Sequence, residues 1–154
     1  MKISTKRLNQ HRQRGLAIVE FAVVLPMLMF LLLATAELGR ALYQQDALTK
    51  AVRDGARYLA ANARFGTGAS FDNTAFLAAR NRVLCGNNSC GADTLLPGMA
   101  LGDVTATAPD AYNIEISAQY TYQPILGPVL RPIGFGSDIP LTFTLTATTT
   151  MRIL

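Results

Sequence analysis

The chain changes its hydrophobic period twice. From Leu16 to Ala36 it is apolar apart from Glu20, Pro26 and small interruptions. About 20 such residues is the length that crosses a bilayer as a helix. Pro26 removes the N–H that would bond the carbonyl of Ala22, so a kink or local loosening is expected there. After Ala36 the pattern becomes amphipathic without a break. Leu38, Leu42, Gln45, Leu48, Val52, Ala56 and Leu59 recur at steps of three and four and predict one helical stripe. Asp46, Lys50 and Asp54 stand four apart on a different face and can pair. Gly39 and Gly55 each weaken the helix by about 1 kcal/mol relative to alanine. The reading is a single helix from near Leu16 to near Ala61, about 70 Å long at 1.5 Å per residue.

Asn62–Ser70 is a glycine-bearing loop, and Asp72 to Leu84 predicts a shorter helix. Phe76, Ala79 and Val83 share one of its faces, and Gly86 follows as a stop signal. The last third alternates with period two. Val104, Ala106 and Ala108 interleave with threonines, and Pro109-Asp110 marks a turn. Tyr112, Ile114, Ile116, Ala118, Tyr120 and Tyr122 form the apolar side of a second run, and Leu141, Phe143, Leu145 and Ala147 that of a third. Three antiparallel strands with one buried face follow, packed on the helical stripe because three strands alone are marginal. Between the last two lies Gln123–Pro140, with four prolines and three glycines, which excludes a regular strand or long helix. Ile125, Leu126, Val129, Leu130, Ile133 and Phe135 make it apolar for a loop. It either folds back over the sheet or forms a contact surface for a partner or a membrane.

Composition sharpens this reading. Half of the residues are hydrophobic and 16% charged, which leans toward membrane association. The formal charge of +4 invites a nucleic-acid partner, but its distribution argues against one. Lys2, Lys6, Arg7, Arg12 and Arg14 precede Gly15 with no acid among them. The remaining nine basic residues face ten acidic ones, a net charge of −1. The basicity belongs to a leader, residues 1–14, that lacks apolar periodicity and is expected to be disordered or peripheral. Positive flanks stay in the cytoplasm, so Arg12 and Arg14 would hold the leader inside and residues beyond the span would lie outside.

Catalytic and metal-binding chemistry is thinly represented. The single histidine, His11, lies in the leader, which leaves no His-based triad or general base beyond it. Cys85 and Cys90 without a nearby histidine cannot complete a tetrahedral zinc site. In an oxidising compartment they read as a local disulfide contributing on the order of 2 kcal/mol. Asp93, Asp103 and Asp110 are scattered among turn residues, and Gly66-Thr67-Gly68 is too short for a phosphate loop. Neither a metal nor a cofactor is expected, and an enzyme is not.

The opening admits three readings. A secretory signal would be cut after Ala34-Thr35-Ala36, releasing an exported binding domain. A plain anchor would keep such a domain on the membrane. In the third, a basic leader, a glycine, four apolar residues, Glu20 and Phe21 resemble the processing site of type IV prepilins. The run from Arg14 to Pro26 resembles the opening of TadE-like proteins, minor pilins or pseudopilins of the tight-adherence (Tad/Flp) pilus system. Glu37-Leu38-Gly39-Arg40 resembles the motif that closes their membrane segment, and Ala51–Arg57 a later block on the same helix.

The resemblance implies a non-catalytic structural role in pilus assembly and, through it, adherence. It implies a cut by a membrane prepilin peptidase after Gly15, with Leu16 as the new terminus. The implied partners are that peptidase, other major and minor pilins, the inner-membrane assembly platform and the lipid bilayer. The implied location is the bacterial inner membrane, single-pass, with the C-terminal domain periplasmic. Independently of the resemblance, a Leu16 α-amine and Glu20 would stand four residues, or about 6 Å, apart along the axis. A neighbour shifted by that amount would place its amine beside this carboxylate, with Phe21 next to it. Two charges in an apolar layer are tolerable paired and very costly apart, so Glu20 can set subunit register. The expected architecture is α+β and pilin-like. Residues 1–15 form the leader, 16–37 the transmembrane segment, and 38–154 the extracytoplasmic domain.

Overall fold

The computed structural model describes residues 8–62, 73–91, 93–110, 112–125, 127–130 and 137–153. Two helices and five strands follow in the order α1 (Leu8–Asn62), α2 (Asn73–Cys85), β1 (Val104–Thr107), β2 (Asn113–Thr121), β3 (Val129–Leu130), β4 (Ile139–Pro140) and β5 (Thr144–Arg152). The architecture is α+β: a long N-terminal helix, a short second helix and a small antiparallel sheet. The chain divides into two compact units, Met1–Gly39 and Arg40–Leu154. The expected loop at 63–70 lies outside the described residues.

Helix α1 begins at Leu8, inside the stretch expected to be disordered. Leu, Gln and Arg are good helix formers, and extending an existing helix costs far less than nucleating one. Pro26 stands within the helix, which continues on both sides of it.

In the second unit, helix α1 buries Ala41, Gln44, Leu48, Ala51, Val52, Ala56, Leu59 and Ala60. Leu38 and Leu42 were expected on that stripe but are 60% and 62% exposed. At about 100° per residue Leu42 points roughly a third of a turn away from Leu48, and the buried line runs through Ala41 instead. Of the charged triplet, Lys50 pairs with Asp46 at 2.7 Å, whereas Asp54 turns to Arg82 of α2 at 3.5 Å.

Helix α2 packs Ala79 and Val83 into the core with Phe76 half-buried beside them. A Cβ on Gly55 would lie 2.5 Å from Val83 Cγ2 and 3.0 Å from the Ala79 carbonyl oxygen, so the two helices touch backbone to side chain there. Gly86 ends α2 at φ +77°, a left-handed conformation that favours glycine, and its N–H donates to the Arg82 carbonyl at 2.9 Å.

The sheet has the order β1-β2-β5, all antiparallel, with β2 central. Val104 faces Ala118, and Ala118 faces Ala147. Ile114, Ile116, Ala118 and Tyr120 alternate inward along β2, and Leu145 and Ala147 do so on β5. The opposite face carries the serine and threonine row, where the Ser117 and Thr148 hydroxyls lie 2.9 Å apart. Burying one face and hydrating the other is what period-two patterning achieves. Two details depart from expectation. Tyr112 is exposed rather than inward, and the last strand starts at Thr144 rather than near Leu141. The proline-rich connection holds a two-residue ladder, Val129 opposite Pro140 and Leu130 opposite Ile139. Proline is tolerated in such a short ribbon because no central ladder needs its N–H.

Candidate functional site

The apolar half of α1 is where the candidate chemistry concentrates. Among the described residues it is one helix long and apolar enough to cross a membrane, by length and composition. Among the described residues nothing covers its side chains: Leu16 is 73% exposed, Phe21 60% and Met27 74%. A soluble surface would not carry so continuous an apolar face; lipid or other helices must cover it. Gly15 and Leu16 both lie within the helix, and Glu20 is an exposed carboxylate one turn beyond Leu16. Thr35 donates its hydroxyl hydrogen to the carbonyls of Leu31 and Leu32, at 3.0 and 2.9 Å. This hides its polar group against the helix, as an apolar setting requires. The Ala34-Thr35-Ala36 triplet is therefore ordinary helix with no turn at it.

Beyond the span the helix changes character at Glu37 and Gln44, its buried polar residues. Gln45 donates from Nε2 to the Thr146 carbonyl at 3.1 Å and ties α1 to β5. The Tyr120 hydroxyl donates to the Pro97 carbonyl at 3.1 Å. Burial raises its pKa, and the nearby Arg40 charge opposes that rise. Gln45 ties helix to sheet and Tyr120 ties the sheet to the loop at Pro97; no nucleophile and base stand together among these groups.

At the far end, Cys85 and Cys90 form the disulfide expected from their spacing. Sequence reasoning missed what holds this loop to the helix. Arg82 donates to Asn88 and Asp54, and its guanidinium lies 4.3 Å from the centre of the Tyr58 ring. Arg82 on α2 and Tyr58 on α1 belong to different helices, so no local period links them and only the fold brings these groups together. Asp110 caps the turn before β2, accepting from the N–H groups of Tyr112 and Asn113 and from Asn113 Nδ2. These donors lower its pKa. No group of three or more His, Cys, Asp or Glu side chains is poised for a metal among the described residues.

The fold and this helix define a class: an α+β domain following an N-terminal helix that fits a single-pass membrane anchor. Residues 15–57 match the family model of TadE-like proteins, so this stretch of the chain is similar to that family. The matched stretch contains the glycine–glutamate opening, the Glu37–Arg40 motif and the Ala51–Arg57 block. No curated protein and no solved structure matches the chain.

Proposed function

We propose that the chain is a minor pilin or pseudopilin, a non-catalytic structural component in assembly of a Tad/Flp pilus and so in adherence. The observation that carries this reading is the uncovered apolar helix bearing one carboxylate, Glu20, four residues after Leu16. Cleavage by prepilin peptidase after Gly15 frees the Leu16 amine. Glu20 then pairs with the amine of a neighbouring pilin, because an ion pair in an apolar layer is tolerable only when both partners are present. Arg12 and Arg14 keep the leader cytoplasmic, and the domain beyond Arg40 lies in the periplasm until it enters the pilus. Its partners are the peptidase, other pilins and the inner-membrane platform. The disulfide suits that oxidising compartment.

The test is the N-terminal residue of the mature protein, read by mass spectrometry of membranes from a host with its processing enzymes intact. A terminus at Leu16 is expected. A terminus at Glu37 would instead mean an exported domain freed of its helix, and an intact leader a permanent anchor.

A further inference from the structure

The apolar connection between β2 and β5 can be located within its own unit. Along α1, Gly55 lies against Ile116, Gln45 bonds Thr146, which pairs with Gln119, and Arg40 acts on Tyr120. Position on the helix thus falls toward Arg40 as position on β2 rises toward Thr121. The end of β2 and the start of β5 accordingly stand at the edge of the unit where Arg40 enters it. Tyr122 and Phe143 continue the pair, their rings stacked at 5.1 Å, and the connection springs from them. It exposes Ile125 at 74%, Ile139 at 48%, Phe143 at 46% and Val129 at 39%.

We infer that this edge docks on the lipid bilayer, with Ile125, Val129, Ile139 and Phe143 entering the interfacial layer. The inference rests on the reading of Leu16–Ala36 as a membrane span. Arg40 follows Ala36 by four residues, about 6 Å of helix, so the edge that carries it cannot leave the vicinity of the membrane surface. The interfacial layer itself extends about 5–8 Å beyond the hydrocarbon on each side. The ribbon's geometry favours lipid over a protein partner. Val129 and Ile139 belong to successive pairs of the β3–β4 ladder and so point to opposite faces. A flat protein surface covers one face of a ribbon, whereas a fluid interface surrounds both. Within the second unit, Leu42 and Tyr43 are exposed on α1 just after Arg40, and tyrosine is a side chain that favours the headgroup level.

The chain contains no tryptophan, so a single introduced one is an unambiguous reporter. The full chain is reconstituted in phosphatidylethanolamine–phosphatidylglycerol vesicles containing lipids brominated near the top of the acyl chains. Four variants are compared: Leu28→Trp in the span, Ile125→Trp and Ile139→Trp at the docking edge, and Tyr112→Trp at the opposite end of β2. Quenching of Leu28→Trp, Ile125→Trp and Ile139→Trp at least twofold above Tyr112→Trp is expected. Should Leu28→Trp be quenched while both edge reporters match Tyr112→Trp, the docking is overturned and the span stands. An unquenched Leu28→Trp removes the span itself. Edge reporters that shift to the blue only as the protein-to-lipid ratio rises would identify a second copy of the chain as the occupant, which also overturns the inference.

Discussion

Three residues show how much rests on single groups. Glu20 is the one ionisable group in the apolar run from Leu16 to Ala36, and a lone carboxylate there is costly unless a cation meets it. Glu20→Gln keeps the shape and removes the charge. Recovery of the protein in sheared pili is expected to fall at least tenfold while its level in membranes holds; unchanged recovery would remove the register role. Gly55 tests packing. A methyl group there meets Val83 Cγ2 at a distance atoms do not adopt and crowds the Ala79 carbonyl oxygen, so the Val83 side chain or α2 must shift. Overpacking of this kind costs about 1–3 kcal/mol, offset by about 1 kcal/mol of helix propensity. Gly55→Ala is therefore expected to lower the melting temperature by a few degrees, followed through the near-UV signal of buried Tyr120 and Tyr122. Asp110 tests pH. Its folded-state pKa is depressed first by the Asn113 side chain and then by the Tyr112 N–H. The stability it contributes is present above the ordinary aspartate value and is lost as pH falls through the lower, folded one. Asp110→Ala should flatten the stability–pH curve below about pH 4 and leave the curve above pH 6 parallel to wild type.

At the scale of elements, periodicity located the helices and strands better than it located their faces. Gly86 was legible as the end of α2 because only the left-handed turn it permits lets the chain leave a helix so sharply. The buried line of α1 runs through Ala41 rather than Leu38 and Leu42, because it follows the face of Leu48, Val52 and Leu59 and Leu42 stands a third of a turn from Leu48. Asp54 stands four residues from Lys50 and could pair with it, but Lys50 pairs with Asp46 and Asp54 meets Arg82 of α2. That arginine joins α1, α2 and the disulfide loop through Asp54, Tyr58 and Asn88. Each contact is modest, and together they contribute about 1 kcal/mol. Arg82→Ala is expected to destabilise the folded domain by that amount in thermal unfolding. Arg82→Lys should recover only part of it, because an ammonium lacks the planar fork that serves Asn88 and Asp54 while lying over a ring.

For the whole molecule, the decisive property is that one stretch has no interior to hide in. Among the described residues nothing covers the run from Leu16 to Ala36, which fits a single-pass membrane anchor. Leu28→Arg places a fixed charge near the middle of that segment, at a cost of about 2.5–3.5 kcal/mol on insertion scales. The variant is expected to shift from the carbonate-resistant to the carbonate-extractable fraction, whereas Leu42→Arg, beyond the span, should not. Sequence by itself determined the apolar span, the basic leader, the glycine–glutamate spacing, the cysteine pair and the three strands. Each of these is written in local composition or in a period of two or 3.6 residues. Only the tertiary structure decided that the buried line of α1 passes through Ala41 rather than Leu42 and that Arg82 binds the disulfide loop to that helix. It also decided that Val129 pairs with Pro140 and Leu130 with Ile139 in a short ribbon that exposes Val129 and Ile139. These outcomes depend on which elements approach one another, and how closely. Side chains far apart in sequence settle that by filling shared volume, which leaves no mark on local pattern.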